Sequence, residues 1–164
     1  MKDILDESDS KGSRIKIMKA LPFFAPFTDE EMDVILHTSA WLKFSPGDVI
    51  VKEGDEGKSF FIILQGSVCI QKKVGITSIK KPILCLKKGQ CFGEVAVVAG
   101  QPRGADAVAE FETYLMRINA EDLDKENESL QFRSVQFKFY KIFSKILAQR
   151  LILTDDLLVK ESMF

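Results

Sequence analysis

The feature that most restricts this chain is a change of period. From about Ala40 to Ile118, short apolar stretches are separated by turn residues at Pro46-Gly47, Gly54, Gly57, Gly66, Gly75, Pro82, Gly89, Gly93 and Gly100. That punctuation belongs to an antiparallel all-β unit. After Asp122 it stops. No proline or glycine occurs from Leu130 to Leu158, where Phe132, Val135, Phe139, Ile142, Phe143, Ile146, Leu147, Ile152 and Leu153 read as one long helix.

Within the β region the strand candidates are WLKF, DVIVKEG, SFFIILQG, SVCIQKK, PILCLKK and AVAEFETYLMRI, many with β-branched or aromatic residues. Several short strands with glycine corners predict a closed β-barrel or jelly roll of the cupin-like, double-stranded β-helix type. Ahead of it, Leu21, Phe23, Phe24 and Phe27 lead to Thr28, which caps TDEE with Glu31 at the capping-box position; Met32, Ile35 and Leu36 follow as an apolar stripe. The fold class is mainly β with flanking helices. Residues 1–14 are polar and unperiodic and read as a flexible tail. Residues 15–164 form one domain, with an N-terminal helical segment over 15–39, the barrel over 40–119 and C-terminal helices over 120–164.

At 164 residues a single domain is expected, and a net charge of -1 provides no general attraction for nucleic acid or anionic membrane. An anion site must therefore be local. The acidic start MKDILDESDS is unlike a secretion signal and no apolar run is long enough to span a bilayer, so a cytoplasmic location is expected. Cys69, Cys85 and Cys91 lack C-x-x-C spacing and lie in or beside apolar strands. They read as plain buried thiols, with a redox-sensing cysteine as the alternative.

The most informative stretch is GQCFGEVAVVAGQPRGA, Gly89 to Ala105. A short helical turn at Glu94 to Val98 would present free N-terminal amides to an anion, and Gly93 allows the backbone to come close. Arg103 follows a Gly100-Gln101-Pro102 turn that can bring it back over the same spot, where its fork suits two phosphate oxygens. Glu94 cannot bind phosphate and is suited to accept from a sugar hydroxyl. The pattern fits a ribose hydroxyl beside a singly charged phosphate; a surface ion pair between Glu94 and Arg103 is the alternative from spacing alone.

At these residues the chain resembles the cyclic-nucleotide-binding domain of kinase A regulatory subunits, bacterial catabolite activators and nucleotide-gated channels. The resemblance rests on Phe92-Gly93-Glu94-Val95-Ala96 and Arg103-Gly104-Ala105, which look like the family's phosphate cassette, here 92–105. Pro46-Gly47-Asp48, Gly54-Asp55-Glu56-Gly57 and Phe61-Ile62-Ile63-Leu64-Gln65-Gly66 add to it. The resemblance implies a stand-alone, bacterial-like effector domain. Its ligand-binding residues would be Gly93, Glu94, Ala96, Arg103, Gly104 and Ala105. The phosphate would lie on Arg103 and the Ala96 and Gly104 amides, the ribose 2′-hydroxyl on Gly93 and Glu94. Gly104 stands where members preferring cGMP carry a hydroxyl residue, so the ligand expected is cAMP, with cGMP as the alternative. Asp106 is expected to point away from the site by strand alternation.

No cofactor, metal site or catalytic residue is expected. Cupin-type metal centres need several histidines, and this chain has only His37. The doublets Lys72-Lys73, Lys80-Lys81 and Lys87-Lys88 read as solvated strand ends, or alternatively as a basic patch for a partner or a means of raising the local potential towards an anionic ligand. About six residues follow the long helix, so no helix-turn-helix and no nucleic-acid partner are expected. Partners would be the cyclic nucleotide and an unidentified protein, with no membrane, and with a homodimer through the C-terminal helix as a further option. Gln149 and Arg150 are candidates for contacting the base, or are plain exposed polar residues. The remaining alternative is a domain that keeps the fold and serves only as a protein-interaction module.

Overall fold

The structure is a computed structural model and describes residues 2–3, 11–76, 78–124 and 129–161. Its elements are β1 (Lys2–Asp3), α1 (Lys11–Lys19), a 3₁₀ turn (Pro22–Phe24), α2 (Asp29–His37), β2 (Ser39–Phe44), β3 (Val49–Val51), β4 (Ser59–Gln65), β5 (Ser67–Lys73), β6 (Lys80–Lys87), β7 (Cys91–Phe92), α3 (Glu94–Ala99), β8 (Asp106–Ala109), β9 (Thr113–Asn119), α4 (Ala120–Asp124) and α5 (Leu130–Glu161). Helix α1 begins inside the segment read as a tail; residue 1 and residues 4–10 of that tail lie outside the described residues. The capping box of α2 forms as read: Thr28 Oγ1 accepts from the Glu31 amide, and the Glu31 carboxylate accepts from the Thr28 amide.

The strands form two antiparallel sheets, one ordered β1-β2-β9-β4-β7 and the other β3-β8-β5-β6. Among the described residues no closed barrel joins them, which corrects the barrel expectation. From β2 to β9 every connection except the β5–β6 hairpin crosses from one sheet to the other. The corners therefore spend their residues bridging the gap instead of extending a ladder, and β3 and β7, of three and two residues, are too short to carry pairing around an edge. Gly66 shows the demand at one corner: at φ +88°, a Cβ there would lie 2.5 Å from the Glu112 carbonyl oxygen. The stretch read as a single strand from Ala107 to Ile118 is also split, because the chain turns between sheets at residues 110–112.

Strand β4 explains why there are two cores. Its apolar run is buried on both faces. Phe60, Ile62 and Leu64 join Phe24, Ile35, Met116, Phe139 and Phe143 between the five-stranded sheet and the helices. Phe61 and Ile63 face the other way and pack with Val68, Leu86, Ala107 and Leu115 between the sheets. The alternation of a strand thus sends neighbouring residues into different cores.

Cys69 and Cys85 are not separate thiols: they are register partners across β5 and β6 and form a disulfide. Sequence spacing alone does not reveal that register. Cys91 is free and buried, and burial, then the nearby Glu94 charge, push its thiol well above the usual range. Among the described residues no helix is long and apolar enough to cross a membrane.

Candidate functional site

Between the open side of the second sheet and helix α3 lies a cavity of about 290 Å³. All six cassette residues predicted from sequence, Gly93, Glu94, Ala96, Arg103, Gly104 and Ala105, line it. Strand β7 ends at Phe92, Gly93 turns at φ +86°, and α3 begins at Glu94, so the first turn of α3, Glu94 to Ala96, borders the cavity. A Cβ on Gly93 would meet Arg103 Nη1 at 2.8 Å and the Ser59 carbonyl oxygen at 3.0 Å. Glycine is thus required here both for backbone sign and to admit the arginine.

Arg103 is buried, and its fork is held from below. Nη1 donates to the Gly93 carbonyl at 3.1 Å, and Nη2 donates to the Ser59 carbonyl at 2.6 Å and the Ser59 hydroxyl at 3.1 Å. The guanidinium lies 5.8 Å over the Phe61 ring, and its Nε is buried without a hydrogen-bond partner among the described residues. Burial pulls its pKa down, opposed by the carboxylates of Asp55 and Glu94. A guanidinium fixed this way offers a localised positive charge that needs an acceptor.

Glu94 is fully buried, and burial pushes its carboxyl above the ordinary range against the opposing pull of Arg150 and Arg103. One of its oxygens, Oε1, is ion-paired to Nη1 of Arg150, which comes from α5 and also donates from Nη2 to the Cys91 carbonyl at 2.7 Å. The other oxygen faces the Cys91 thiol at 4.0 Å. Arg150 therefore reaches the cassette carboxylate and lines the cavity. Gln149 does not; it is exposed and absent from the lining, as its position one residue around the helix requires.

Asp106 lies off the cavity. Its carboxylate is buried and accepts from the Glu53 amide at 2.8 Å and from Lys80, while Ala105 and Ala107 line the cavity on the other face. Those partners hold its pKa below the usual range, the Glu53 amide first.

Sequence reasoning missed most of the apolar wall, Val51, Ile70, Ile83 and Leu84, which stand beside Phe92 of the cassette and Ala107. It also missed Ser59 as the acceptor behind Arg103; Lys72, of a doublet read as strand end or as a source of positive potential, lines the cavity. Ile70 and Lys72 stand two apart on one strand, a signal for a shared face, but which face meets the cassette depends on the crossing of the sheets.

The family model described as "Cyclic nucleotide-binding domain" matches residues 41–128, more than half of the chain. A cGMP-dependent protein kinase of Toxoplasma gondii is 34% identical over 137 residues, covering 78% of this chain and 13% of that protein. A cAMP-dependent protein kinase regulatory subunit of Hypocrea atroviridis is 34% identical over 108 residues, covering 65% of this chain and 22% of that protein. This chain therefore spans only a small part of the curated relatives it matches. The solved cyclic nucleotide-binding domain from Methylobacillus flagellatus superposes with a TM-score of 0.74 at 20% identity, covering 89% of this chain and 80% of that one, a likeness of fold.

Proposed function

This chain belongs to the cyclic nucleotide-binding domain family, and we propose on that premise that its cavity binds a cyclic nucleoside monophosphate, cAMP before cGMP, as the input of a regulatory domain. The observation that carries the reading is the convergence of one buried arginine and one buried carboxylate on a single cavity of about 290 Å³, with the cassette glycines between them. A cyclic phosphate supplies the anion that Arg103 lacks, received by its Nε and by the Ala96 and Gly104 amides. Anionic acceptors form hydrogen bonds roughly twice as strong as neutral carbonyls do, so phosphate competes with the Gly93 and Ser59 oxygens for the fork. The ribose 2′-hydroxyl donates to Glu94 Oε2, in place of the Cys91 thiol that faces that oxygen at 4.0 Å. The purine rests on Val51, Ile70, Ile83 and Leu84, an apolar wall. That wall, together with the missing hydroxyl at Gly104, supplies no partner for the amino group of guanine. The domain holds its ligand and carries out no reaction on it; Arg150 ties its output helix, α5, to the cassette, and a protein partner reads that helix.

Titration calorimetry with cAMP and cGMP on the wild type and on Arg103→Lys tests the reading. The wild type binds cAMP more tightly than cGMP, and the lysine variant loses at least about tenfold in affinity for both, since a point charge replaces a planar fork. If neither nucleotide binds the wild type below the millimolar range, the chain keeps the fold only as a protein-interaction module.

A further inference from the structure

We infer that Cys69 and Cys85 form a redox-active site, entered by a small thiol at Cys85, whose oxidation state sets the order of one wall of the cavity. Strand β6 is the outer strand of its sheet and pairs only with β5. It supplies Ile83 and Leu84 to the cavity, and β5 supplies Ile70 and Lys72. Three features weaken this hairpin beyond Ile70. The register skips Ile83 between the pairs Ile70↔Leu84 and Gln71↔Pro82, so the ladder carries a bulge. Pro82 has no amide to donate. Lys72 stands directly opposite Lys81, and like charges at such a pair repel. The Cys69–Cys85 bridge sits one register step before the bulge, on the strand face opposite Ile70 and Leu84, and is the covalent tie that holds the edge strand there.

The site is open from one side. Cys69 is 8% exposed, whereas Cys85 lies on the surface. The three donors among the described residues that could gather around a metal, Cys69, Cys85 and Glu110, include these two sulfurs, and their bond to each other takes both from any ion. An external thiolate attacks Cys85 Sγ; the Cys69–Cys85 bond breaks, a mixed disulfide forms at Cys85, and Cys69 leaves as thiolate and takes up a proton. A second external thiolate attacks the external sulfur of that mixed disulfide, releasing Cys85 as thiol and the external pair as disulfide. Two electrons and two protons pass from two thiols to the protein. Oxidation runs the same steps backwards, with a low-molecular-weight disulfide as acceptor.

The affinity consequence rests on the nucleotide-binding reading; the redox site itself does not. The experiment compares one wild-type preparation as oxidised by a glutathione-type disulfide and after dithiothreitol. Titration of thiols in denaturant gives one thiol, Cys91, before reduction and all three cysteines after it. Reduction lowers the melting temperature by roughly 5 to 10 °C, speeds amide exchange over residues 70–84, and weakens cAMP binding about fivefold as the wall loses its preorganisation. A Cys69→Ser, Cys85→Ser double variant behaves as the reduced wild type and ignores the redox state. Three thiols in the oxidised sample, or equal exchange over 70–84 in both states, overturns the site. Failure of cAMP and cGMP to bind in either state, with the exchange difference intact, removes the nucleotide reading and leaves the redox site standing.

Discussion

Helix α5 runs unbroken from Leu130 to Glu161, yet its two halves behave as different objects. In the first, Phe132, Val135, Phe139 and Phe143 are buried, and the Phe139 ring lies 5.1 Å from both Phe27 and Phe60. In the second, Leu151, Ile152, Leu153, Leu157, Leu158 and Val159 are all exposed, Leu157 by 60%. Apolar content does not separate them. In the first half Phe132, Val135, Phe139 and Phe143, three and four apart, make one stripe that is covered, while Leu130 and Phe137 off that stripe are exposed; in the second half Leu153 and Leu157 are again four apart, yet both are exposed. An apolar stripe is buried only where a neighbouring element stands to cover it. Arg150 stands at the boundary and hydrogen-bonds the body of the domain through the Cys91 carbonyl.

The sharpest test of that difference is truncation on each side of the boundary. Phe139→Ala empties a site between the helices and the five-stranded sheet and costs about 3 to 5 kcal/mol of unfolding free energy. Leu157→Ala removes a side chain already in water and changes stability by less than about 0.5 kcal/mol. Urea denaturation measures both. Comparable losses from the two substitutions would mean that the distal half is buried in solution, and the comparison would break.

The stripe of the first half was legible in the sequence because helical periodicity is local. So were the capping box at Thr28 and the cassette from Phe92 to Ala105, whose residues are close in sequence and are held by one turn. What was not legible is long range. The apolar residues from Phe132 to Leu153 read as one long helix, and nothing within that helix marks where its neighbours end. The register that joins Cys69 to Cys85, the crossing that puts Ile83 and Leu84 on the cavity, and the pairing of Arg150 with Glu94 each depend on residues far apart in the chain. Arg150 and Gln149 look alike to a periodicity argument; only the contact with α3 separates them.

A smaller effect sharpens the comparison from the side of α2. Glu31 ties α2 to the packed half of α5, accepting from Ser134 and Lys138 at 2.6 Å each while completing its own cap. Burial raises its pKa, but the hydrogen bonds from Lys138, Ser134 and the Thr28 amide outweigh burial, and the pKa lies below its ordinary 4.5. The charged form is therefore the one stabilised by folding. Its contribution is complete above about pH 4.5 and is lost as pH falls through the lower folded value. Glu31→Gln costs about 1 to 3 kcal/mol at neutral pH, and the gap between variant and wild type narrows as pH drops below that point. Chemical denaturation across the range measures it. A gap independent of pH would assign the loss to packing rather than to the charge.

The smallest effect lies at the boundary itself. A ligand moves an element only by contacting it differently in two states, so a nucleotide in the cavity affects α5 through what touches the cavity, and on α5 that residue is Arg150. When the ribose hydroxyl takes the place of the weaker Cys91 thiol at Glu94 Oε2, the carboxylate is fixed firmly from both sides and its pairing with Arg150 is steadier. Amide exchange over residues 147–161 then slows on saturation with cAMP by about fivefold, roughly 1 kcal/mol in the local opening free energy. Residues 132–143, held in the core with or without ligand, keep their exchange rates. Arg150→Ala abolishes the slowing and leaves the first half unchanged, which separates loss of the tie from general loosening of the helix. Slowing along the whole of α5 would show that the helix responds as one rigid rod and that the two halves differ in packing but not in motion. No slowing anywhere, with cAMP bound, would make the distal half an interaction surface independent of the cavity.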